Sequence, residues 1–563
     1  MKRKISDYIV DYLIKKNIKD VFGYPGGMVT HLMDSFKKKE DKITSHLMYH
    51  EQALSFAGCS YAQITGKPTV VYATSGPGAT NLITGIANAY YDSIPVIFIT
   101  GQVNTNEHND LGLRQRGFQE TDIVSMVKGI TKFSVRITDK NDIKQCLDKA
   151  FFLSQHGRPG PVLLDIPMDI SRSIVEEDDL VGFFEEEKEC GKIDINQIVD
   201  LIKSSKRPVI ILGAGAKFSC ESLLVEFANK NSIPFVSSMI ACDLGNLVNS
   251  YGFIGAYGSR TANFIVAKAD LIISIGSRLD IRQVGGKRSE FAPNAIIMRV
   301  DIDLNELNYK IHDKEFDYQI SCKSFFKKML TFQLPKYDEW NQVCETIKNK
   351  LKDVDLETIQ KRIFDLLNKK IPEGSIITTD VGQNQVWAAQ YLNIKGSNIL
   401  FSGGHAAMGY SLPAAIGAAY ARPSKPIVSI NGDGGIQMNI QEFQTISRDN
   451  LPVKVIIFNN SSLGMIRHFQ EMYFDSRCSF TTPSDSFVNP HFVRIAEAYG
   501  IESILISNIK DIESLDLSSK KPMVIEILIN SPTYVVPKLE FGKPNQDQEP
   551  LINRELYKEL MEL

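Results

Sequence analysis

A glycine-rich turn that carries one carboxylate precedes a pair of carboxamides in the last third of the chain. The turn spans residues 431–435 (NGDGG), and the hydrophobic stretch after it ends at Asn459-Asn460. Glycine lets backbone N–H groups approach phosphate oxygens, and the start of a following helix favours an anion. Magnesium prefers oxygen ligands and is often completed by phosphates. The spacing therefore predicts that Asp433, Asn460 and the backbone carbonyl of Ser462 bind a divalent cation beside a diphosphate. An ordinary Gly-Asp turn followed by an Asn-rich loop is the alternative.

The composition is that of a globular enzyme with several domains. The 563 residues are 43% hydrophobic and 23% charged, with a formal net charge of −3. This balance favours neither nucleic acid nor a membrane as partner, and no apolar run is long enough for a transmembrane helix. The eight cysteines are scattered without a C-x-x-C pair. Residues 1–20 predict an amphipathic helix and not a signal peptide, so we expect a cytoplasmic protein.

Short β-branched runs alternate with amphipathic segments along the whole chain. Parallel strands buried on both faces have this continuous apolar pattern. It predicts strands at, for example, 69–74, 95–100, 162–166, 209–212, 270–275, 296–302, 376–379, 427–430, 453–458 and 524–528. The expected fold class is α/β, with three doubly wound domains built on parallel sheets. The predicted domains are residues 1–175, 190–335 and 355–540, separated by seams at 175–192 and 334–355 and followed by an arm at 541–563.

A weak internal repeat links the first and last of these domains. The order Lys-Pro, strand, glycine turn, helix and Ile/Leu-Pro-Val occurs at 67–96 and again at 425–453. We therefore expect two related sheets flanking a third domain. Because Asp433 has no acidic counterpart in the first copy, the two copies would do different work. Chance similarity of two βαβ units is the alternative.

Taken together, the motifs resemble those of the acetohydroxyacid (acetolactate) synthase family. The G-D-G turn followed by N-N is itself the signature of enzymes that bind thiamine diphosphate. The resemblance runs from about residue 5 to residue 535 with the motifs in family order. They are His50-Glu51-Gln52, 74–81 (TSGPGATN), 101–103 (GQV), 118–120 (FQE), 276–282 (GSRLDIR), 381–383 (VGQ), 387–390 (WAAQ) and the G-D-G…N-N element.

In this family the thiamine diphosphate lies across a subunit interface, between the first domain of one chain and the last domain of another. Glu51 matches the glutamate that bonds the pyrimidine ring, where a carboxyl group shielded from water can drive the proton transfer that activates the cofactor. The resemblance also implies catalytic roles for Gln102 and for Met408, the bulky apolar support beneath the cofactor. Core packing is the alternative for Met408. Further cofactor contacts are implied for Tyr24, Gly26, Asn81, Gln383, Asn384 (usually His in the family), Met408, Gly432, Gly434, Gly435, Gly464 and Met465.

The middle domain raises the question of a flavin. The strand at 209–212 runs into Gly213-Ala214-Gly215, but the third glycine of the dinucleotide motif is missing, so this element alone is a weak signal. Residues 276–282 and 301–303 are similar to the FAD-binding segments of the family. The resemblance implies a mainly structural FAD, with contacts from Gly213, Gly215, Gly276, Arg278 and Asp301.

Four residues bear on the substrate. Arg282 matches the family arginine that faces the acceptor's carboxylate, for which a guanidinium group is well suited. Phe118 and Lys132 are also predicted to bind substrate. Phe469 replaces a Trp that shapes the acceptor pocket in the family. The loop before Phe118 is longer than in the family and rich in polar and basic groups, which could accommodate a larger acceptor or could be a solvated loop.

The resulting prediction is a transferase that uses thiamine diphosphate and Mg²⁺ to decarboxylate a 2-keto acid and ligate the product. Pyruvate is the expected donor, and transfer of its hydroxyethyl unit to a second 2-keto acid would be acetolactate synthase chemistry. The alternatives are transfer to a keto-sugar nucleotide or other larger carbonyl acceptor, decarboxylation or oxidation without ligation, and a catalytically silent subunit. The presence of Glu51, Asp433 and Asn460 argues against a silent subunit. The family implies a homodimer or a dimer of dimers with active sites at the subunit interface, and a separate regulatory subunit is a further option.

Overall fold

The strands of the computed structural model form three six-stranded sheets and one two-stranded ribbon. The structure describes residues 1–109, 111–185, 193–352, 354 and 357–563. All neighbouring strands within the three large sheets are parallel. The prediction of an α/β fold with three doubly wound parallel sheets is therefore confirmed.

The first sheet is built from the N-terminal part of the chain. Its order is β3-β2-β4-β5-β7-β6, and β1 pairs with β8 in the antiparallel ribbon. The strands are β1 (Lys2–Lys4), β2 (Asp20–Gly23), β3 (Thr44–Leu47), β4 (Thr69–Ala73), β5 (Val96–Gln102), β6 (Phe133–Arg136), β7 (Val162–Pro167) and β8 (Ile174–Glu176). The α-helices are Ile5–Lys15, Thr30–Lys37, Glu51–Thr65, Pro77–Asn81, Ile83–Tyr91, Ile123–Val127, Ile143–Gln155 and Met168–Arg172.

The middle sheet has the strand order of dinucleotide-binding folds. Its order is β11-β10-β9-β12-β13-β14, so the direction of winding reverses between β9 and β12. The strands are β9 (Pro208–Leu212), β10 (Phe235–Ser237), β11 (Ser250–Phe253), β12 (Leu271–Ile275), β13 (Ile296–Asp301) and β14 (Glu315–Gln319). The α-helices are Ile195–Ser204, Ala214–Lys230, Arg260–Lys268, Ile281–Val284, Leu304–Asn308, Cys322–Met329 and Asp338–Leu351.

The middle core extends beyond the predicted domain end at residue 335. Trp340 and Ile347 of the helix Asp338–Leu351 belong to it, so most of the predicted seam at 334–355 is a packed helix. Residues 353 and 355 of this seam, and residues 186–192 of the first, lie outside the described residues. The C-terminal arm also covers the middle part, because Ile552 and Leu560 lie in the same core.

The third sheet repeats the strand order of the first. Its order is β16-β15-β17-β18-β20-β19, which supports the predicted internal repeat. The strands are β15 (Ile376–Thr379), β16 (Asn398–Phe401), β17 (Ile427–Gly432), β18 (Val453–Asn459), β19 (Glu502–Ile506) and β20 (Met523–Leu528). The α-helices of this part and of the arm are Ile359–Lys370, Gln383–Tyr391, Ser411–Ala421, Asp433–Ile436, Phe443–Arg448, Gly464–Tyr473, Phe492–Ala498 and Arg554–Glu562.

Two global expectations concern membrane-spanning helices and the cysteines. Within the described ranges, none of the helices combines the length and the apolar character that a membrane crossing requires. Seven of the eight cysteines lie in these ranges, and all seven are free thiols. Cys190 lies outside the described residues.

Candidate active site

The predicted cation ligands converge at the carboxyl ends of β17 and β18, the edge at which parallel sheets bind ligands. Oδ2 of Asp433 and Oδ1 of Asn460 both accept a hydrogen bond from the backbone N–H of Ser462, at 3.2 and 3.1 Å. Ser462 is buried, and its Oγ has no hydrogen-bond partner within the described part of the chain. One carboxylate, one amide oxygen and nearby main-chain groups fit a hard cation such as Mg²⁺.

This cation site differs from one built wholly of acidic side chains. Among the residues that the structure describes, no group of three His, Cys, Asp or Glu side chains could hold a metal ion. A cation bound by Asp433 would therefore complete its octahedral shell with neutral oxygens and with the oxygens of a bound phosphate.

Burial sets the electrostatics of Asp433. Its carboxylate is 2% exposed and accepts hydrogen bonds from the N–H of Gly434 at 2.8 Å and from Nδ2 of Asn489 at 2.7 Å. Burial nevertheless raises the pKa of this carboxyl to about 6, because the charged form loses its hydration. Asn489 is a functional candidate that the sequence analysis missed, since no local spacing connects it to Asp433.

Gln383 links Asn460, the predicted amide ligand, to Thr533, which follows β20. Its Oε1 accepts from Nδ2 of Asn460 at 3.2 Å, and its Nε2 donates to the carbonyl of Thr533 at 2.7 Å. Gly464 lies against the same amide group, and Met465 follows it, half-buried. The structure thus brings Gln383, Asn460 and Gly464 together.

Asn384 lies beside the predicted phosphate turn. Its Nδ2 donates to the carbonyl of Asp380 at 2.7 Å, and its Oδ1 lies next to Gly432. One N–H of the amide is thus used within the chain and one is left for a ligand. A direct bond from Asn384 to the diphosphate stays a prediction.

Asp380 is a buried carboxylate that the sequence analysis missed. It follows β15, and it accepts hydrogen bonds from the N–H groups of Val381 at 2.8 Å, Gly409 at 3.0 Å and Ser411 at 3.2 Å. Burial raises its pKa to about 6. Its position at the end of a parallel strand could have identified it. By holding Gly409, Asp380 fixes the turn that carries Met408.

Met408 lies beside the glycine turn. Its Cε is 3.4 Å from the position that a Cβ on Gly434 would occupy, and the side chain is half-buried. Gly435 lies against Asp380 in the same turn. The structure therefore brings Met408, Gly434 and Gly435 together, and the role of Met408 as an apolar support beneath the cofactor stays a prediction.

Glu51 is the first residue of its helix and is 9% exposed. Its Oε2 accepts a hydrogen bond from Nδ2 of Asn81 at 2.9 Å, while Oε1 lies against Gly78. Tyr24 and Gly26, the other residues predicted on this side, are half-buried, and Gly26 lies against Thr74. The predicted pyrimidine-side residues Glu51 and Asn81 are thus in contact.

Two predicted residues of the first domain are engaged in internal hydrogen bonds. Gln102 is buried, and its Nε2 donates to Oδ2 of Asp165 at 3.0 Å. Lys132 donates to the carbonyls of His156 at 2.6 Å and Arg158 at 2.7 Å, and burial lowers its pKa to about 8. Direct contact of Gln102 or Lys132 with substrate stays a prediction.

The other three predicted substrate residues are exposed. Phe118 is 79% exposed and Phe469 is 41% exposed. Arg282 is exposed, and its backbone N–H donates to Oδ1 of Asp280 at the start of a helix. Within a single chain these three residues remain exposed to solvent, so an acceptor pocket lined by them would need a further surface.

A cavity of about 530 Å³ lies at the reversal point of the middle sheet. All five residues predicted to bind FAD line it: Gly213, Gly215, Gly276, Arg278 and Asp301. Gly213 must be glycine here, because a Cβ would lie 2.0 Å from the carbonyl oxygen of Gly276. Ligands bind at this point in doubly wound folds, so the residues present fit a dinucleotide.

The chain matches known proteins along almost its whole length. Three family models match: the N-terminal TPP binding domain of thiamine pyrophosphate enzymes at residues 3–126, their central domain at 195–328, and their C-terminal TPP binding domain at 380–527. These matches define the class of protein and confirm thiamine diphosphate as the predicted cofactor.

Among curated relatives, the acetolactate synthase large subunit of Lactococcus lactis is 35% identical, over 95% of this chain and 94% of its own. The isozyme 2 large subunit of Escherichia coli is 34% identical, over 96% and 98% of the two chains. Acetolactate synthase 2, chloroplastic, of Nicotiana tabacum is 35% identical, over 97% and 85%. The chain therefore belongs to the acetolactate synthase family of thiamine pyrophosphate enzymes, which confirms the family resemblance read from its motifs.

Cation-dependent cofactor binding should depend on the ionisation of Asp433. Protons compete with the cation for a carboxyl whose pKa is raised to about 6. Affinity for thiamine diphosphate in the presence of Mg²⁺ should therefore fall as pH drops below about 6, by up to about tenfold per pH unit, and level off above about 7. Calorimetric titration across this range measures it. An Asp433→Asn chain should bind weakly without that step, and a flat wild-type profile would contradict the assigned ligand.

Proposed function

We propose that this chain decarboxylates pyruvate and transfers the resulting hydroxyethyl unit to a second 2-keto acid, using thiamine diphosphate and Mg²⁺. The convergence of the Asp433 and Asn460 oxygens on one point carries the proposal. The names of the relatives support this reaction class. When bound, thiamine diphosphate supplies the nucleophilic carbon and the electron sink for decarboxylation.

The proposed roles divide between the two outer parts of the chain. Asp433, Asn460 and the Ser462 carbonyl hold the cation, while Gln383 keeps the amide of Asn460 oriented through its 3.2 Å hydrogen bond. On the other side, Asn81 occupies Oε2 of Glu51. This leaves Oε1 as the oxygen that exchanges a proton with the cofactor, in a site shielded from water.

We propose a homodimer, or a dimer of two dimers, in which each active site uses two chains. Large apolar side chains are exposed on both halves of the proposed site: Leu111 is 72% and Phe118 79% exposed on one, and Met438 is 54% and Ile466 55% exposed on the other. Exposed apolar groups of this size favour burial by a second copy. The relatives are named large subunits, which supports a separate regulatory chain. A cytoplasmic location stays a prediction.

We propose FAD as the occupant of the middle cavity. Arg158 also lines this cavity, and it forms ion pairs with Asp303 at 3.1 Å and Glu306 at 2.6 Å. The chemistry of the proposed reaction is redox-neutral, so the flavin would act as a structural group between the first and middle parts of the chain.

A larger carbonyl compound is a second candidate for the acceptor substrate. It is favoured by a cluster of exposed aromatic side chains that includes Phe469, a predicted substrate residue. Phe469 packs on Tyr473 with 4.7 Å between ring centroids, and Tyr473 lies 5.8 Å from Phe541. Such a platform could stack a planar or ring-shaped acceptor, such as a keto-sugar nucleotide.

Product analysis tests the proposed reaction. With pyruvate alone, mass spectrometry should detect acetolactate and carbon dioxide, and candidate ketone acceptors added in turn should reveal whether a bulkier product forms faster.

The Glu51→Gln chain should bind thiamine diphosphate with near-normal affinity, yet lose at least about 100-fold in decarboxylation, because an amide cannot exchange the proton. Near-normal turnover by Glu51→Gln would remove Glu51 from the mechanism, and carbon dioxide without any ligated product would exclude a carboligase.

Complementation tests the two-chain active site. A chain with Glu51→Gln and a chain with Asp433→Ala, each carrying a different tag, are co-expressed and the mixed dimer is purified through both tags. One of its two sites would combine an intact Glu51 with an intact Asp433, so the mixed dimer should regain up to about half of wild-type activity. Each variant alone serves as the inactive control. A folded mixed dimer without activity would contradict a site shared between chains.

Absorbance tests the flavin. Purified protein should show visible flavin absorbance, with about one flavin released per chain on denaturation. The Gly215→Val chain is the matched control, since a Cβ at this position would lie 3.0 Å from Cα of Gly276 in the cavity wall. It should lose the flavin. A colourless wild-type protein that takes up no added FAD would exclude this occupant.

A further inference from the structure

The segment after the cation-binding turn holds the start of the Glu51 helix within the same chain. Three of its side chains make the contacts. Nδ2 of Asn439 donates to Oε1 of Gln52 at 3.1 Å, Oε1 of Glu442 accepts from the backbone N–H of Tyr49 at 2.9 Å, and Nη2 of Arg448 donates to the carbonyl of Leu47 at 2.8 Å. The residues before and after Glu51 are thus bound by one stretch of the third part of the chain.

Glu442 is central to this contact. It is fully buried, and its second carboxylate oxygen accepts from Oγ of Thr445 at 2.7 Å. The backbone N–H of His50 also faces the carboxylate. A negative charge near a helix start interacts favourably with the positive end of the helix dipole. Glu442 therefore binds the N–H groups of the two residues that lead into Glu51–Thr65, whose own cap is the His50 side chain accepting from the N–H of Gln52 at 3.1 Å.

The rest of this helix is fixed by a different neighbour. Oγ of Ser60 donates to the carbonyl of Ala414 at 2.6 Å, and a Cβ on Gly417 would lie 2.1 Å from the carbonyl oxygen of Ala57. These contacts fix the later turns of the helix against Ser411–Ala421. The first turn, which carries Glu51, is held by the His50 cap, by the bond from Asn439 to Gln52 and by the bonds of Glu442 to the residues just before it.

Burying a carboxylate as the acceptor for these N–H groups costs stability, because its charged form loses hydration. Burial raises the pKa of Glu442 to about 7, although Thr445, the N–H groups of Tyr49 and His50, and the charge of Arg448 all act to lower it. A neutral acceptor would satisfy the same donors at a lower desolvation cost. What this contact needs from residue 442 is therefore an oxygen at the right reach, which an amide side chain of the same length also supplies.

We propose that Glu442 is a positioning residue for the reaction, which sets the direction of the Glu51 carboxyl by holding the first turn of its helix. This inference rests on the proposed role of Glu51. Displacement of a reacting group by about 1 Å can lower a rate by about 100-fold, so the effect should lie in kcat. The ligands of the cation and diphosphate do not touch Glu442 in the described contacts, and cofactor affinity should therefore change little.

Three substitutions at Glu442 test this role. Glu442→Gln keeps an oxygen toward Tyr49 and should leave kcat within about threefold of wild type. Glu442→Asp keeps the charge but is one methylene shorter, and Glu442→Ala removes the contact. Both should lower kcat by about 10- to 100-fold, with the KM for pyruvate and the calorimetric Kd for thiamine diphosphate within about threefold. Gln444→Ala, on the same helix Phe443–Arg448, is the matched control and should behave as wild type.

The comparison of kcat between Glu442→Asp and Glu442→Gln tests the proposed positioning role even if Glu442→Ala fails to fold. Glu442→Asp turning over as fast as Glu442→Gln would overturn the proposal. The proposal would also be overturned if Glu442→Asp lowered kcat, weakened thiamine diphosphate binding by a similar factor and lowered Tm as well. That pattern would mark a general structural role. In the Glu51→Gln background, Glu442→Asp should cause no further loss, because both changes act through one carboxyl. Wild-type turnover by Glu51→Gln itself would instead refute the role of Glu51 under the proposed function, on which this inference rests.

Discussion

The close packing of two helices from opposite ends of the sequence is the constraint on which this structure depends. Glu51–Thr65 and Ser411–Ala421 approach so closely at Gly417 that a Cβ would lie 2.1 Å from the carbonyl oxygen of Ala57. Glu51 stands at the start of one helix, and Met408 lies in the turn before the other. Because interiors of this density transmit displacement instead of absorbing it, a shift of either helix would move both groups.

The two outer sheets show how one topology can support two kinds of chemistry. Both have the same order of strands, yet their strand ends carry different residues. In the first sheet, β5 ends at Gln102, which is held in an internal network with Asp165. In the third, the equivalent edge carries Asp433 and Asn460, which face a common point. Fold and function are thus separable here, and a few residues after each strand determine the chemistry.

The sequence analysis succeeded where the signal was local and failed where it was tertiary. Central strands such as β4, β12 and β18 are continuous apolar runs, and they were predicted because burial on both faces leaves little room for polar residues. Edge strands such as β3 (TSHL) and β14 (EFDYQ) carry a weaker signal, since one side of an edge strand meets solvent and the apolar pattern is lost.

The same division applies to the candidate site. Asp433, Asn460 and the glycines belong to short motifs whose spacing is visible in the sequence. Asp380, Asn489 and Glu442 act through hydrogen bonds to segments that are distant in sequence. Only the folded arrangement brings such partners together, so spacing alone does not identify Asn489 or Glu442, whereas Asp380 is marked by its place at the end of a predicted strand.

Buried carboxylates that bond to backbone N–H groups recur at the turns around the site. Asp92 holds the N–H groups of Gly403 and Gly404 at 3.0 and 2.7 Å, while Asp380 and Glu442 hold the turns near Met408 and Glu51. Burial raises the pKa of Asp92 and Asp380 to about 6 and of Glu442 to about 7.

Raised acid pKa values mean that the folded state holds extra protons. The stability that these groups contribute is therefore fully present below about pH 4 and is lost as pH rises through about 6 to 7. At neutral pH the fold thus carries ionised groups that oppose its own stability. The N–H groups that bond to these carboxylates offset part of that cost, because hydrogen bonds to a charged acceptor are stronger than those to a neutral one.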